Sequence, residues 1–481
     1  MRKVILYIYF MFLFFSVSRL YAEGQKEITL GLEDTLRLAM ENNFDIKIFK
    51  IEKSISEKDL LAAGAVYDTM ISADYSYNKN KLKKSSTFLG SEQTTVLQNI
   101  SFHKKLPSGT LMSLGLEHKK DTSDSLFAAL NPYHENIFSL SLEQPVGKNI
   151  LGLADRNTVK IARLAVDNSG YTSLNKIERE LAAVKKSYWC MVYALESLTA
   201  QKEIVLIAEE LFKQFRKNFE MGTVEESELF AVEADMEELK RNVLFSQQAL
   251  SSAMNELRFR LDLGKNITII PEDKFDFKNE NFDFNQWIIT ALNNRRDYLQ
   301  AKNNLQSGNL NLEMKKNARW PEIDLFATLN RNGLAADFKD SFAELSSEDY
   351  TNYLIGVSVS FSLENNQAKS EYLKEQLKKL KSLIELKKTE SKIMIEVNDA
   401  VNAINLAIQA VEMSQKIWQL QNKKYEKEWE RFKSGRSDTD KLVRFRQDTL
   451  RAQLGYISAL YDYQTALIDL ELVTNTLLDT T

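Results

Sequence analysis

Prolines stand at only five positions in this 481-residue chain, Pro107, Pro132, Pro145, Pro271 and Pro321, so residues 146–270 and 322–481 contain none. Proline removes a backbone donor and collides with the preceding helical turn, so proline-free runs of this length are where long helices form. Glycine is scarce too, at 16 residues, and because turns consume both residue types the chain has few turns and long uninterrupted elements. Apolar residues recur at helical spacing from Ala154 to about Phe219 (Val159, Ala162, Val166, then Leu181, Val184, Tyr188, Met191, Leu195), and residues 367–431 and 441–478 read the same way. A helix of ~65 residues is about 100 Å long. Helices of that length with apolar residues on both faces pack sideways as a coiled-coil-like bundle.

Short segments of strict alternation lie between the helical stretches. In Val357-Ser358-Val359-Ser360-Phe361-Ser362-Leu363 the odd positions are apolar and the even ones serine. Phe138–Glu143, Ile71–Tyr77 and, with Phe326 breaking the pattern, Ile323–Leu329 alternate likewise. Period two predicts strands with one apolar and one polar face. Alternation alone fits a soluble sandwich and a membrane barrel equally well.

Residues 1–22 join a basic start (Arg2, Lys3) to an apolar run, Val4 to Val17, and to a cleavable Leu20-Tyr21-Ala22. That is signal-peptide architecture, and the run is shorter than the ~20 residues an uncleaved spanning helix needs. The mature chain is expected to begin near Glu23. No later apolar run reaches 18 residues, so a membrane role for the mature chain requires strands or surface contact. The single cysteine, Cys190, has no intramolecular partner and is expected to pack as a small apolar residue. His103, His118 and His134 lack the paired helical spacing of a zinc site and read as loop histidines. Neither a phosphate-cradling glycine loop nor a nucleophile elbow occurs, so no catalytic residue, metal or cofactor is expected. A formal charge of −4 without a Lys/Arg block argues against nucleic acid as a partner.

The chain contains an internal repeat. Ala39-Met40-Glu41-Asn42-Asn43-Phe44-Asp45-Ile46 aligns with Ala291-Leu292-Asn293-Asn294-Arg295-Arg296-Asp297-Tyr298, and Phe219-Glu220-Met221-Gly222 with Leu229 aligns with Phe432-Lys433-Ser434-Gly435 with Leu442. Residues 23–270 and 271–481 each read as helix, strands, long helix, glycine turn, long helix, with the strands inside 67–146 and 321–364. The fold class expected is mainly α with β (α+β). Residues 78–136 make the first copy longer and hold a further possible hairpin, Val96–His103 and Thr110–Glu117.

These features together resemble the TolC-like outer-membrane efflux protein family over essentially the whole mature chain. Thr35-Leu36-Arg37-Leu38-Ala39-Met40-Glu41-Asn42-Asn43 is similar to the family's opening "A-L-x-x-N" helix. Leu140-Ser141-Leu142-Glu143-Gln144-Pro145 resembles its "s-l-x-Q-P", and Trp320-Pro321-Glu322-Ile323-Asp324-Leu325 its "P-x-l-x-l" passage from helix to strand. The resemblance implies a homotrimer in which each chain gives four strands to one outer-membrane β-barrel while the helices form a periplasmic tunnel. It also implies a passive exit duct in a tripartite efflux or type I secretion system, served by a periplasmic adaptor (membrane fusion) protein and an inner-membrane pump of RND, ABC or MFS type. On that reading Ser358, Ser360 and Ser362 line the lumen, and the opposite face of that strand meets outer-membrane lipid. Four strands leave residues 78–136 in excess, and we read them as an extracellular excursion, with an enlarged barrel as the alternative.

By the same resemblance the turns at Gly222 and Gly435 form the periplasmic tip, with Phe219, Leu229, Phe432 and Leu442 around the adaptor dock. Family members often narrow the closed end with acidic residues six and nine positions after the second glycine, where this chain has Lys441 and Arg444. Glu228 is therefore expected to pair with Arg436, Lys441 or Arg444 as a latch. The rival reading is a soluble periplasmic coiled-coil adaptor or scaffold, against which the duplicated strand regions argue.

Overall fold

A computed structural model of the chain describes residues 26–83, 90–125, 127–434 and 436–479. The leader assigned to 1–22 lies outside them, as does Gly435. In chain order the first elements are β1 (Lys26–Leu30), α1 (Leu32–Asn42) and α2 (Phe44–Gly64). Strands β2 (Thr69–Asn80), β3 (Gln93–Lys105), β4 (Leu111–Ser123) and β5 (Tyr133–Pro145) follow, then helices α3 (Leu153–Glu220) and α4 (Glu226–Arg260). The same order resumes with β6 (Ile267–Pro271), α5 (Phe284–Asn294), α6 (Arg296–Asn317) and β7 (Glu322–Ala335). It closes with α7 (Phe338–Ser347), β8 (Thr351–Ser360), α8 (Asn366–Lys433) and α9 (Thr439–Thr474). Helices α3 and α8 are 68 residues each, as the lack of proline dictates.

The chain divides into two compact units, and neither is a sequence repeat. One comprises residues up to 52, 172–298 and 389–481; the other comprises 53–171 and 299–388.

The first unit is helical, apart from the parallel pair β1–β6, which joins the start of both copies. Its interior is a series of apolar clusters: Leu181, Tyr188 and Met191 of α3 with Leu257 of α4, then Ile393, Val397 and Ile404 of α8 with Leu460 of α9. The repeat is visible in its polar contacts. Asn43 donates to the Arg260 carbonyl at the end of α4 (2.8 Å) and to Glu180 on α3 (3.1 Å). Its counterpart Arg295 donates to the Val473 carbonyl near the end of α9 (3.1 Å) and to Glu396 on α8 (2.7 Å). In both copies one side chain satisfies a carbonyl left unpaired at a helix end.

The second unit carries one six-stranded antiparallel sheet in the order β2-β3-β4-β5-β7-β8. Residues 93–105 and 111–123 are full members of it, pairing with β2 and β5 along their length. The excursion expected at 78–136 is therefore corrected: the possible hairpin read there is two additional strands of the sheet. The three histidines are likewise on strands, not in loops. His103 bonds Ser113 (2.9 Å) and Ser101 (3.1 Å), and His118 stacks on His134 with centroids 5.2 Å apart.

Candidate functional site

Register alone sorts the side chains of the sheet into two faces, because directly opposed residues point the same way. One face carries Ser72, Ser76 and Asn78 on β2, Asn99 and Ser101 on β3, and Ser113 and Glu117 on β4. It continues with Ser139 and Ser141 on β5, Asn330 and Asn332 on β7, and Ser358 and Ser360 on β8. These groups bond across strands, as in Ser72–Ser101 (2.7 Å) and Ser141–Thr328 (3.0 Å). Ser362, expected on the same face, lies just past the end of β8. Acidic residues dominate the charges here, among them Asp74, Glu117, Glu135, Glu143, Glu322 and Asp324. Phe326, which breaks the alternation, also lies on this face. Its partner across the ladder is Gly356, where a Cβ would approach Phe326 Cζ to 2.4 Å, so the glycine makes the space the ring fills.

The other face is apolar. One row, Ile71–Phe102–Leu114–Leu140–Leu329–Tyr353, crosses all six strands. On β2 the apolar and aromatic residues continue to one side of this row, through Ala73 and Tyr75 to Tyr77; on β8 they continue to the other side, through Ile355 and Val357 to Val359. The apolar band therefore runs diagonally, displaced by six residues between β2 and β8. Six residues at about 3.4 Å against five strand spacings of about 4.8 Å give a slope of roughly 40°. That is the tilt of strands in a membrane barrel, where a level apolar belt crosses inclined strands. A soluble sandwich has no reason to slant its core in this way. Ile71, Tyr75, Ile355 and Val359 are all more than half exposed, as a lipid-facing surface must be. Among the described residues no helix is long and apolar enough to cross a membrane.

The helical unit holds the remaining residues singled out from sequence. Helix α3 ends in a Schellman motif, with Gly222 N–H bonding the Phe219 carbonyl (2.9 Å) and Thr223 N–H the Asn218 carbonyl (3.0 Å). Gly222 has φ +71°, a conformation that costs glycine no Cβ clash. The neighbouring apolar residues do not all present a surface. Leu442 is 1% exposed, in a cluster with Leu211, Phe215 and Val232, and Leu229 and Phe432 pack against it. Phe215 and Phe432 stack at 5.6 Å. These residues join the α3–α4 hairpin to the α8–α9 hairpin; Leu442 is thereby withdrawn from the surface, while Leu229 and Phe432 stay partly exposed. The exposed apolar residues at this turn are Phe219, Met221 and Phe230, of which sequence reasoning found the first.

The latch is corrected as well. Glu228 accepts from the Thr439 hydroxyl (3.3 Å) at the start of α9, not from a cation. Lys441 instead meets Glu428 of α8 (3.0 Å), which also accepts from Ser437 (2.6 Å); these two partners hold the Glu428 carboxyl below its usual range. Arg444 lies over the Phe445 ring, 5.6 Å from its centroid. The most deeply buried charged pair here carries no mark in the sequence: Arg446 of α9, 1% exposed, lies against Asp235 of α4. Burial pushes its guanidinium down to about 10. Cys190 is half-buried, and burial pushes its thiol up, away from thiolate chemistry. No group of three or more His, Cys, Asp or Glu side chains among the described residues is placed to hold a metal ion.

A two-faced sheet with a slanted apolar belt, joined to 68-residue helices, defines an outer-membrane channel subunit, and comparison with known proteins agrees. Residues 287–476 match the family described as outer membrane efflux protein. The fold is similar to the Campylobacter jejuni CmeC outer membrane channel (TM-score 0.66, 16% identity, covering 92% of this chain and 85% of that one). It is also similar to the Vibrio cholerae outer membrane protein VceC (0.67, 10%, 92% and 95%) and to the open-state Neisseria gonorrhoeae MtrE outer membrane channel (0.64, 14%, 92% and 88%). No curated protein sequence matches the chain. The family match is confined to residues 287–476, and over most of its length the chain has the fold of an outer-membrane efflux channel.

Proposed function

We propose that this protein is the passive exit duct of a tripartite efflux or type I secretion assembly, acting as a homotrimer. The observation that carries this reading is the diagonal apolar band with its polar, serine- and asparagine-rich reverse face. In lipid, the free edges of β2 and β8 would leave backbone donors and acceptors unpaired, a cost of several kcal/mol per group. Pairing β8 of one copy with β2 of the next removes both edges, and three copies then close a barrel of eighteen strands. The polar face becomes a wet lumen with no pocket to retain cargo, so transport is diffusion once the helical end opens.

At that end the turn at Gly222 and the connection between α8 and α9 form the tip, in the periplasm. Phe219, Met221 and Phe230 offer an apolar surface to a periplasmic adaptor, and the energy comes from an inner-membrane pump of RND, ABC or MFS type. Lys441 and Arg444, near Arg436, supply positive charge to the closed end, with Lys441 partly neutralised by Glu428 and Glu228 fastening the start of α9. Single-channel conductance of the purified mature protein in a planar bilayer tests this. Small, salt-sensitive openings are expected, with anion preference if the basic residues control the constriction. Absence of any channel from folded, oligomeric protein would overturn the duct and favour the scaffold.

A further inference from the structure

Helix α7 lies in the β7–β8 connection and folds back onto the apolar face of the sheet. Its N-cap, Asp337, accepts from Asp340 N–H (2.9 Å), which fixes the start of a ten-residue helix. The sheet is shaped to receive it. Ser341 is fully buried and takes a hydrogen bond from Asn136 of β5 (2.7 Å), itself 1% exposed. At Gly333 of β7 a Cβ would meet the Ser341 carbonyl at 2.1 Å, so only glycine lets the helix this close. His118 of β4 packs edge-on against Phe338, 4.8 Å between centroids.

Helix α7 covers polar residues at one end of this mainly apolar face, which also carries Gln98, Lys104, Lys120 and Arg331. Asn136, His118 and His134 share that face with Phe138, Leu140 and Leu142, beyond the end of the apolar band on β4 and β5. Along the strands the band spans six residues at most, which at 40° of tilt is about 16 Å of height. A lipid-facing belt is about 25 Å tall, and a helix is about 10 Å across. The missing height is one helix thick. While its inner side bonds Asn136, α7 leaves Phe338 and Phe342 about half exposed, stacked 5.9 Å apart.

We propose that α7 is an interfacial helix on the outside of the barrel, burying polar strand residues and inserting Phe338 and Phe342 among the acyl chains of the outer leaflet. The proposal rests on the barrel reading. The occupant follows from continuity: the two rings extend the same surface that the sheet offers to lipid, at the end opposite that where β5 runs on into α3.

The test is spin-label accessibility in the full mature chain. Single cysteines replace Phe342, Ile355 or Ser347 in a Cys190→Ala background, and each labelled protein is reconstituted in phosphatidylethanolamine–phosphatidylglycerol vesicles. Oxygen partitions into acyl chains, whereas a nickel chelate stays in water. The label at 342 is expected to favour oxygen over nickel at least tenfold more than the label at 347, approaching the value at 355. A 342 label as nickel-accessible as 347, with 355 still lipid-like, overturns the helix placement alone. One shielded from both reagents shows that protein, not lipid, covers α7, and overturns it too. A nickel-accessible label at 355 overturns the barrel reading, and the proposal with it.

Discussion

Removing the carboxylate of Asp235 should loosen the α4–α9 contact far more than its single hydrogen bond to Gln447 (2.7 Å) suggests. Arg446 is 1% exposed, and none of its guanidinium nitrogens has a hydrogen-bond partner among the described residues, so the adjacent Asp235 charge is its compensation. A guanidinium that titrates at about 10 is still charged in all but roughly one molecule per thousand at pH 7. Asp235→Ala therefore leaves a buried cation unpaired, a cost of about 3–5 kcal/mol. If the loss is local, hydrogen exchange of residues 231–239 and 443–450 should accelerate by between about 10²-fold and 5 × 10³-fold. Exchange measured by mass spectrometry on the detergent-solubilised protein reads this directly. Replacing both partners, Asp235→Leu with Arg446→Met, should restore most of the protection, since an apolar pair carries no desolvation penalty. Protection within threefold of the parent in Asp235→Ala would refute the claim that this ion pair ties the helices together.

Four further outcomes follow from the same geometry. Gly356→Val should cost about 1–3 kcal/mol by driving a side chain into Phe326, lowering the yield of heat-resistant oligomer, and Phe326→Ala in the same chain should recover it. Glu178, fully buried and accepting from Arg296, Asn475 and the Leu478 amide, should prove as costly to remove as Asp235, with Glu178→Ala lowering the melting temperature well beyond a surface Glu→Ala control. Burial alone would raise the Asp297 carboxyl, but Arg295 overcomes this and holds it below its ordinary value. An acid depressed in the folded state stabilises above its unfolded value and loses that contribution as pH falls through the folded one. The stability gap between the parent and Asp297→Asn should therefore be full near pH 6 and shrink below about pH 4 in thermal melts. Glu428→Gln frees Lys441, so bilayer reversal potentials should shift toward anions, whereas unchanged potentials would place Lys441 away from the ion path.

The helices were legible because proline and glycine are so scarce, and the strand faces because serine alternates with valine so strictly. What escaped has a physical reason in each case. Strands β3 and β4 carry Gln98, His118, Lys119 and Lys120, which blur the period-two signal, so the sequence shows a possible hairpin there but not its full membership of the sheet. β1 and β6 are five residues each, and their parallel pairing joins distant parts of the chain. Helix α7 spans only ten residues, and its docking depends on a glycine and an asparagine that carry no periodic mark. At the helix turns the sequence placed Leu229, Phe432 and Leu442 in the right region, but not on a face. Which side of a turn meets another hairpin depends on tertiary packing, and so does the meeting of Asp235 with Arg446.

The two added strands change what the barrel contributes to transport. In the proposed trimer, eighteen strands about 4.8 Å apart and tilted about 40° would enclose a backbone cylinder roughly 36 Å across, against roughly 24 Å for twelve. A conduit of that width, lined by serine, asparagine and acidic groups, does not sieve small solutes, and its charge favours cations only weakly through screened water. Discrimination then falls to the narrowest ring of side chains, on the helices. Lys441 and Arg444 lie within one turn of each other on α9, just after the turn from α8, and the proposed threefold symmetry would multiply each by three. Ion selectivity accordingly separates the two regions: a barrel-limited pore prefers cations and ignores changes at Lys441, while a tip-limited pore prefers anions and follows them. A density map of the assembly that counts twelve strands instead of eighteen would remove the wide-barrel premise on which this division of roles depends.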